Sequence, residues 1–139
     1  MSFETIVIKT RDEGLVDITS VLQSAVKEKF PNFSSGILFL HLPHTSCALT
    51  INEGFDPDAR IDMENFLQHL APRNLGFITH TAEGPDDSPS HMKSILLNSG
   101  LQIFVEDGKF VLGQWQAVYL AEFRDGPHDR KIYLKAIED

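Results

Sequence analysis

His44, His80 and His91 each stand beside small, polar or acidic residues instead of inside an apolar run, within or just before the stretches HTSCALTINEGFDPDARIDME from His44 and EGPDDSPSHMKS from Glu83. A neutral imidazole is a good ligand for zinc or a similar divalent ion, and three protein ligands leave one position open for water or substrate. The three histidines are therefore a candidate metal set that only folding could assemble, because the chain has neither HExxH nor a paired CxxC. Glu53 follows a predicted strand, and a carboxylate beside a water on such an ion is the natural general base.

A second group could recognise a ligand. Asp86 and Asp87 precede a Ser88-Pro89 helix start, and Ser90, His91 and Lys93 crowd its first turn. A hydroxyl, an imidazole and an ammonium at a helix N-terminus suit a phosphate or carboxylate, although acids there equally steady the helix dipole. Asn52, Asp87, Ser90, Lys93, Arg60 and Arg130 are the candidate substrate contacts. Arg60 lies one helical turn from Glu64, so a solvated intrahelical pair competes with anion recognition. Cys47 has no cationic activator near it in sequence and reads as a small buried residue. Trp115 reads as core, and His41, His69 and His128 as residues without a part in the chemistry.

The elements that must position these residues follow from local patterning. Phe3 to Lys9 predicts a strand, and Asp17 to Phe30 an amphipathic helix capped by Asp17 or Thr19. Ile37 to Leu42, an almost unbroken apolar run, predicts a strand buried on both faces, followed by a second strand from Cys47 to Ile51. Asp56-Pro57 is a helix start, with Ala59, Met63, Phe66, Leu67 and Leu70 as its buried stripe. Ile95, Leu96 and Gly100 would close the short helix that begins at Ser88-Pro89. Strands then follow at Gln102 to Glu106, Lys109 to Leu112, Trp115 to Phe123 and Lys131 to Ile137, with Asp107-Gly108 as a hairpin turn. The sum is a single α+β domain over residues 1–139, with a largely antiparallel sheet and helices packed on one side.

Composition limits the partners. A chain of 139 residues can bury a core without disulfides or structural metal. Its net charge of -8 argues against binding nucleic acid, which takes a basic face. One cysteine cannot form an internal bridge, and no apolar run is long enough to cross a bilayer, so a cytoplasmic protein acting on a small molecule is expected.

At His44 to Glu64, at Glu83 to Ser94, and at GQWQAVYLAEFRD from Gly113 followed by Arg130-Lys131, the chain resembles the YjbQ-like or UPF0047 proteins, also described as secondary thiamine-phosphate synthase enzymes. The resemblance runs in order over nearly the whole chain. It implies a homotrimer with His44, His80 and His91 around a divalent metal, zinc foremost and magnesium for a diphosphate substrate. It also implies formation of thiamine phosphate from a pyrimidine diphosphate and a thiazole phosphate, with loss of pyrophosphate. A metal-dependent hydrolase using Glu53, and a non-catalytic trimeric metal- or ligand-binding module, are the alternatives.

Overall fold

The computed structural model describes residues 2–139. All its strand pairs are antiparallel, and they divide into two sheets. The larger has the order β1-β8-β3-β5-β6, built from β1 (Glu4–Thr10), β8 (His128–Glu138), β3 (Gly36–His41), β5 (Gly100–Glu106) and β6 (Lys109–Phe110). The smaller has the order β2-β7-β4, from β2 (Gly14–Asp17), β7 (Gln116–Glu122) and β4 (Cys47–Glu53). The fold is α+β, with three helices.

The main core draws on both sheets. Ile6, Leu38, Leu40, Ile103, Ile132 and Leu134 come from the larger, and Leu49, Val118 and Leu120 from the smaller. Helix α1 (Thr19–Lys29) closes it with Leu22, Ala25 and Val26, while Val21, on the same apolar pattern, stays 49% exposed. Asp17 accepts from the backbone N–H of Thr19 at 3.0 Å and so steadies the start of α1. β3 alternates between inward and outward residues instead of being buried on both faces, since Phe39 is 41% exposed. The Asp107-Gly108 hairpin forms as its sequence requires, with both residues at positive φ, 50° and 75°.

A second, smaller core lies around Ala48, Tyr119, Ala121 and Phe123. It is covered by Met63 and Leu67 of α2 (Pro57–Leu70), which begins at Asp56-Pro57 with Asp56 accepting from Asp58 N–H at 2.9 Å. The expected buried stripe of α2 is a correction: no residue of this helix is fully buried, and Phe66 and Leu70 are 59% and 42% exposed. Two polar clamps help to hold it. Glu64 accepts from Leu15 N–H at 2.7 Å and the Arg60 guanidinium donates to the Leu15 carbonyl, so these side chains grip β2 and not one another.

Helix α3 (Asp87–Ser94) is shorter than expected and ends before Ile95 and Leu96, which are 82% and 61% exposed. Gly100, expected as its cap, opens β5. Trp115 is likewise no core residue; it is 51% exposed and meets Phe55 edge-on at 4.9 Å. No helix among the described residues is long and apolar enough to cross a membrane.

Candidate functional site

Asp87 opens α3 and His91 follows four residues later, so one helical turn stacks the two side chains on the same face. His80 reaches them from the preceding loop. The Asp87 Oδ2 atom lies 2.7 Å from His80 Nε2 and 3.1 Å from His91 Nε2, and the two rings are 5.5 Å apart. One ligand atom from each of the three residues falls within 4.8 Å of the others, the one grouping of at least three His, Cys, Asp or Glu among the described residues with that spacing.

The hydrogen bonds fix what these atoms can do. His91 Nδ1 is 2.7 Å from the Thr45 carbonyl, which only accepts, so Nδ1 carries the hydrogen. In the neutral ring Nε2 then presents a lone pair to the Asp87 carboxylate. Two lone pairs 3.1 Å apart repel unless a cation, proton or metal lies between them. A backbone carbonyl on the far nitrogen is also the arrangement that orients a metal-ligating histidine.

Asp87 is 5% exposed, and its other oxygen is held by Arg124 Nη1 at 2.9 Å. Burial opposes its ionisation, but the His80 hydrogen bond, the Arg124 guanidinium and any positive charge at His91 outweigh burial and keep its carboxyl below the usual range. Arg124 also donates from Nε to Asp86 at 2.9 Å and from Nη2 to the Glu83 carbonyl at 3.0 Å. Asp86 is brought to about 2 despite its burial, because Arg124 and the Asp125 N–H both donate to it.

His44 lies beside this group without joining it. Its Nε2 accepts from the Lys131 backbone N–H at 2.8 Å, which leaves the hydrogen on Nδ1, and burial lowers its pKa. The structure brings His80 and His91 together and puts Asp87, expected as a substrate contact, between them. His44 instead lines an adjoining cavity of about 500 Å3, as does His91.

The other candidate residues have partners of their own. Glu53 accepts from the N–H groups of Phe55 and Asp56 at 2.7 and 2.9 Å and closes the turn into α2. It ends β4, whose first residue, Cys47, comes directly after the His44 bend, so Glu53 lies the length of the strand from that bend, roughly 20 Å at about 3.3 Å per residue. Within one chain the structure does not bring Glu53 together with His80 and His91. Asn52 accepts from Glu53 N–H at 2.7 Å. Ser90 is fully buried and donates to the Asp87 carbonyl, while Lys93, 3% exposed, is tied to Glu13 at 2.6 Å beneath the Phe123 ring. These two cannot form the anion-binding first turn expected of them, because both point into the protein. Arg130 is paired with Glu122 in the interior, and Arg60 lies over the Tyr119 ring, at 5.8 Å, in its clamp on β2. Cys47 is 2% exposed, and burial pushes its thiol up to about 12, which keeps it protonated and unreactive.

Two participants escaped the sequence. Arg124 carries no local signal, and nothing in its neighbourhood links it to Asp87 across 37 positions. The Thr45 carbonyl carries no side-chain signal at all.

Several proteins are similar to this chain in sequence or in fold. The UPF0047 protein MJ1081 of Methanocaldococcus jannaschii is 45% identical over 133 residues, 95% of this chain and 91% of that one. UPF0047 protein YjbQ of Escherichia coli O157:H7 is 36% identical over 129 residues, 93% and 92% of the two chains. A conserved hypothetical protein of Thermus thermophilus, TT1486, superposes with a TM-score of 0.85 at 36% identity, covering 96% of this chain and 99% of that one. A YjbQ/UPF0047 protein from Clostridium acetobutylicum gives 0.82 at 38% identity, with the same coverage. With residues 4–139 matching the family described as UPF0047 protein YjbQ-like, the chain belongs to that family.

Proposed function

We propose that this protein binds one divalent ion, zinc, through His80, Asp87 and His91, and is an enzyme acting on a small molecule at that ion. The observation that carries the reading is the His91 Nε2 lone pair facing the Asp87 carboxylate, with the Thr45 carbonyl fixing the tautomer. Two imidazoles and one carboxylate, with a position left open, are a ligand set of catalytic zinc. The set differs from the expected one in that Asp87 takes the place of His44. Bound there, the ion supplies Lewis-acid polarisation of a substrate oxygen. Around it, Arg124 aims the carboxylate, the Thr45 carbonyl aims the His91 ring, and His44 offers a neutral N–H donor.

Thiamine-phosphate formation, the activity implied by the family resemblance, expels pyrophosphate and calls for cationic groups near the leaving group. Arg124, Lys93 and Arg130 are each taken up by carboxylates, which supports hydrolysis of a small substrate over diphosphate transfer. The exposed apolar side chains of α2, with Phe55 and Trp115 near its start, support the homotrimer that the resemblance also implies. A free buried cysteine and an acidic composition support a cytoplasmic location.

Elemental analysis of the purified protein tests the core of this reading. One zinc per chain is expected, lost in Asp87→Asn and kept in Glu53→Gln; a metal-free protein that takes up none on reconstitution overturns it. Rescue of a thiamine-phosphate-synthase mutant by the wild type and not by Asp87→Asn would select the transfer reaction. Turnover of esters or amides without rescue would select the hydrolase, and full metal loading with neither would leave the non-catalytic trimeric module.

A further inference from the structure

The cavity beside the cluster shares one wall with it. His91 belongs to both, and the rest of the lining comes from three other places: His44 and Thr45 at the bend after β3, Ser94 and Ile95 at the end of α3, and Ser99 before β5, with Cys47 beneath. At about 500 Å3 it is in the size range of small-molecule sites. Its chemistry is unlike that of a phosphate pocket, for no lysine, arginine, aspartate or glutamate among the described residues lines it.

The nearby cations do not amend this. Arg130 runs beneath the bend into Glu122, with Nη2 also 3.4 Å from the Ser46 carbonyl. Lys93, on α3, is committed to Glu13. Lys131 meets His44 through its backbone N–H, and its side chain is outside the lining. The Ser94 hydroxyl is occupied too, at 2.8 Å from the Ser90 carbonyl and 3.2 Å from that of Cys47. A multiply charged anion would lose its hydration here without gaining a counter-charge from the walls. An uncharged body would gain apolar contact with Ile95 and the protonated thiol of Cys47.

We infer that this cavity holds the body of the substrate, and that it selects an uncharged, largely apolar small molecule with one metal-binding atom over a diphosphate. The inference rests on the proposed metal at His80, Asp87 and His91, and it names the substrate class for that site.

The test uses the protein loaded with cobalt(II), whose visible spectrum reports ligands joining the ion. Imidazole and 4-phenylimidazole bring the same donor atom, so the ratio of their affinities measures the space beside the ion and not the ion itself. Burial of the phenyl ring should make 4-phenylimidazole tighter by about tenfold or more. Pyrophosphate should compete no better than inorganic phosphate. Ser99→Trp, which fills the cavity from an exposed position, and Ile95→Asp, which puts a charge on its wall, should each bring the ratio near unity with the cobalt spectrum unchanged.

A ratio near one in the wild type, a ratio indifferent to both variants, or displacement of 4-phenylimidazole by pyrophosphate at lower concentration would overturn the inference while leaving the metal in place. Absence of any cobalt band in the wild type would overturn the metal reading, and this inference with it.

Discussion

Two buried carboxylates flank the start of β4 and are handled in opposite ways. Glu122, with no exposure, is saturated: Thr10 donates at 2.6 Å and Arg130 Nε at 2.7 Å to one oxygen, while Arg130 Nη2 and the N–H groups of Phe123 and Arg124 serve the other. Burial opposes its ionisation, but Arg130 and Thr10 more than compensate, and its pKa is lowered. Asp87 has one oxygen satisfied by Arg124 and turns the other toward two imidazoles. A closed set of donors makes a strut. A carboxylate with one oxygen left between two imidazoles, one of them presenting a lone pair, has room for a cation.

The contrast breaks most sharply at the strut. Glu122→Leu leaves Arg130 charged and unpaired in the interior, and urea denaturation should register a loss of about 3–5 kcal/mol. Adding Arg130→Met should recover most of it, because the pair removed together leaves no buried charge. At the centre, Asp87→Asn should lower zinc affinity by about a hundredfold or more in a chelator competition, since it removes a charged ligand. If Glu122→Leu weakened zinc as much as Asp87→Asn at temperatures where both are folded, the distinction between strut and site would fail.

Smaller effects sharpen it. Arg124→Lys keeps a charge but loses the three-way fork on Asp86, Asp87 and Glu83, and about tenfold weaker zinc binding is expected, with little change in circular dichroism. Asp86 sits at about 2 against its ordinary 3.8, a depressed carboxyl. Its stabilisation is therefore present above pH 3.8 and lost as the pH falls toward 2. Acid titration of Asp86→Asn should show a shallower decline across that window than the wild type. Glu53→Ala removes only the turn closure before α2, so about 1 kcal/mol of stability and no change in zinc content are expected.

Much of the fold was legible because it rests on short-range rules. Asp56-Pro57 starts a helix and Asp107-Gly108 turns a hairpin wherever they occur in such contexts, and α1 shows its stripe in the spacing of Leu22, Ala25 and Val26. β2 was not legible, because four residues from Gly14 to Asp17 give too little alternation to distinguish from a turn. The stripe of α2 misled, for periodicity tells which face is apolar and not how deeply it is covered.

At the site, the flanking residues singled out His80, His91 and Asp87, and the helical spacing of Asp87 and His91 was there to be read. The tautomer of His91 was not, since it depends on a carbonyl 46 positions away. Glu53 looked free only because its partners are the backbone N–H groups of its own turn.

Surface turns between strands usually tolerate inserted residues. The one joining β7 to β8 is an exception, because Arg124 reaches Glu83, Asp86 and Asp87, and Asp125 both donates to Asp86 and holds Arg73. Lengthening it by a residue would slide this anchor along the strand and loosen the loop of Glu83, Asp86 and Asp87 some forty positions away in the chain, so a graft or tag there would act as a lesion of the His80, Asp87 and His91 cluster.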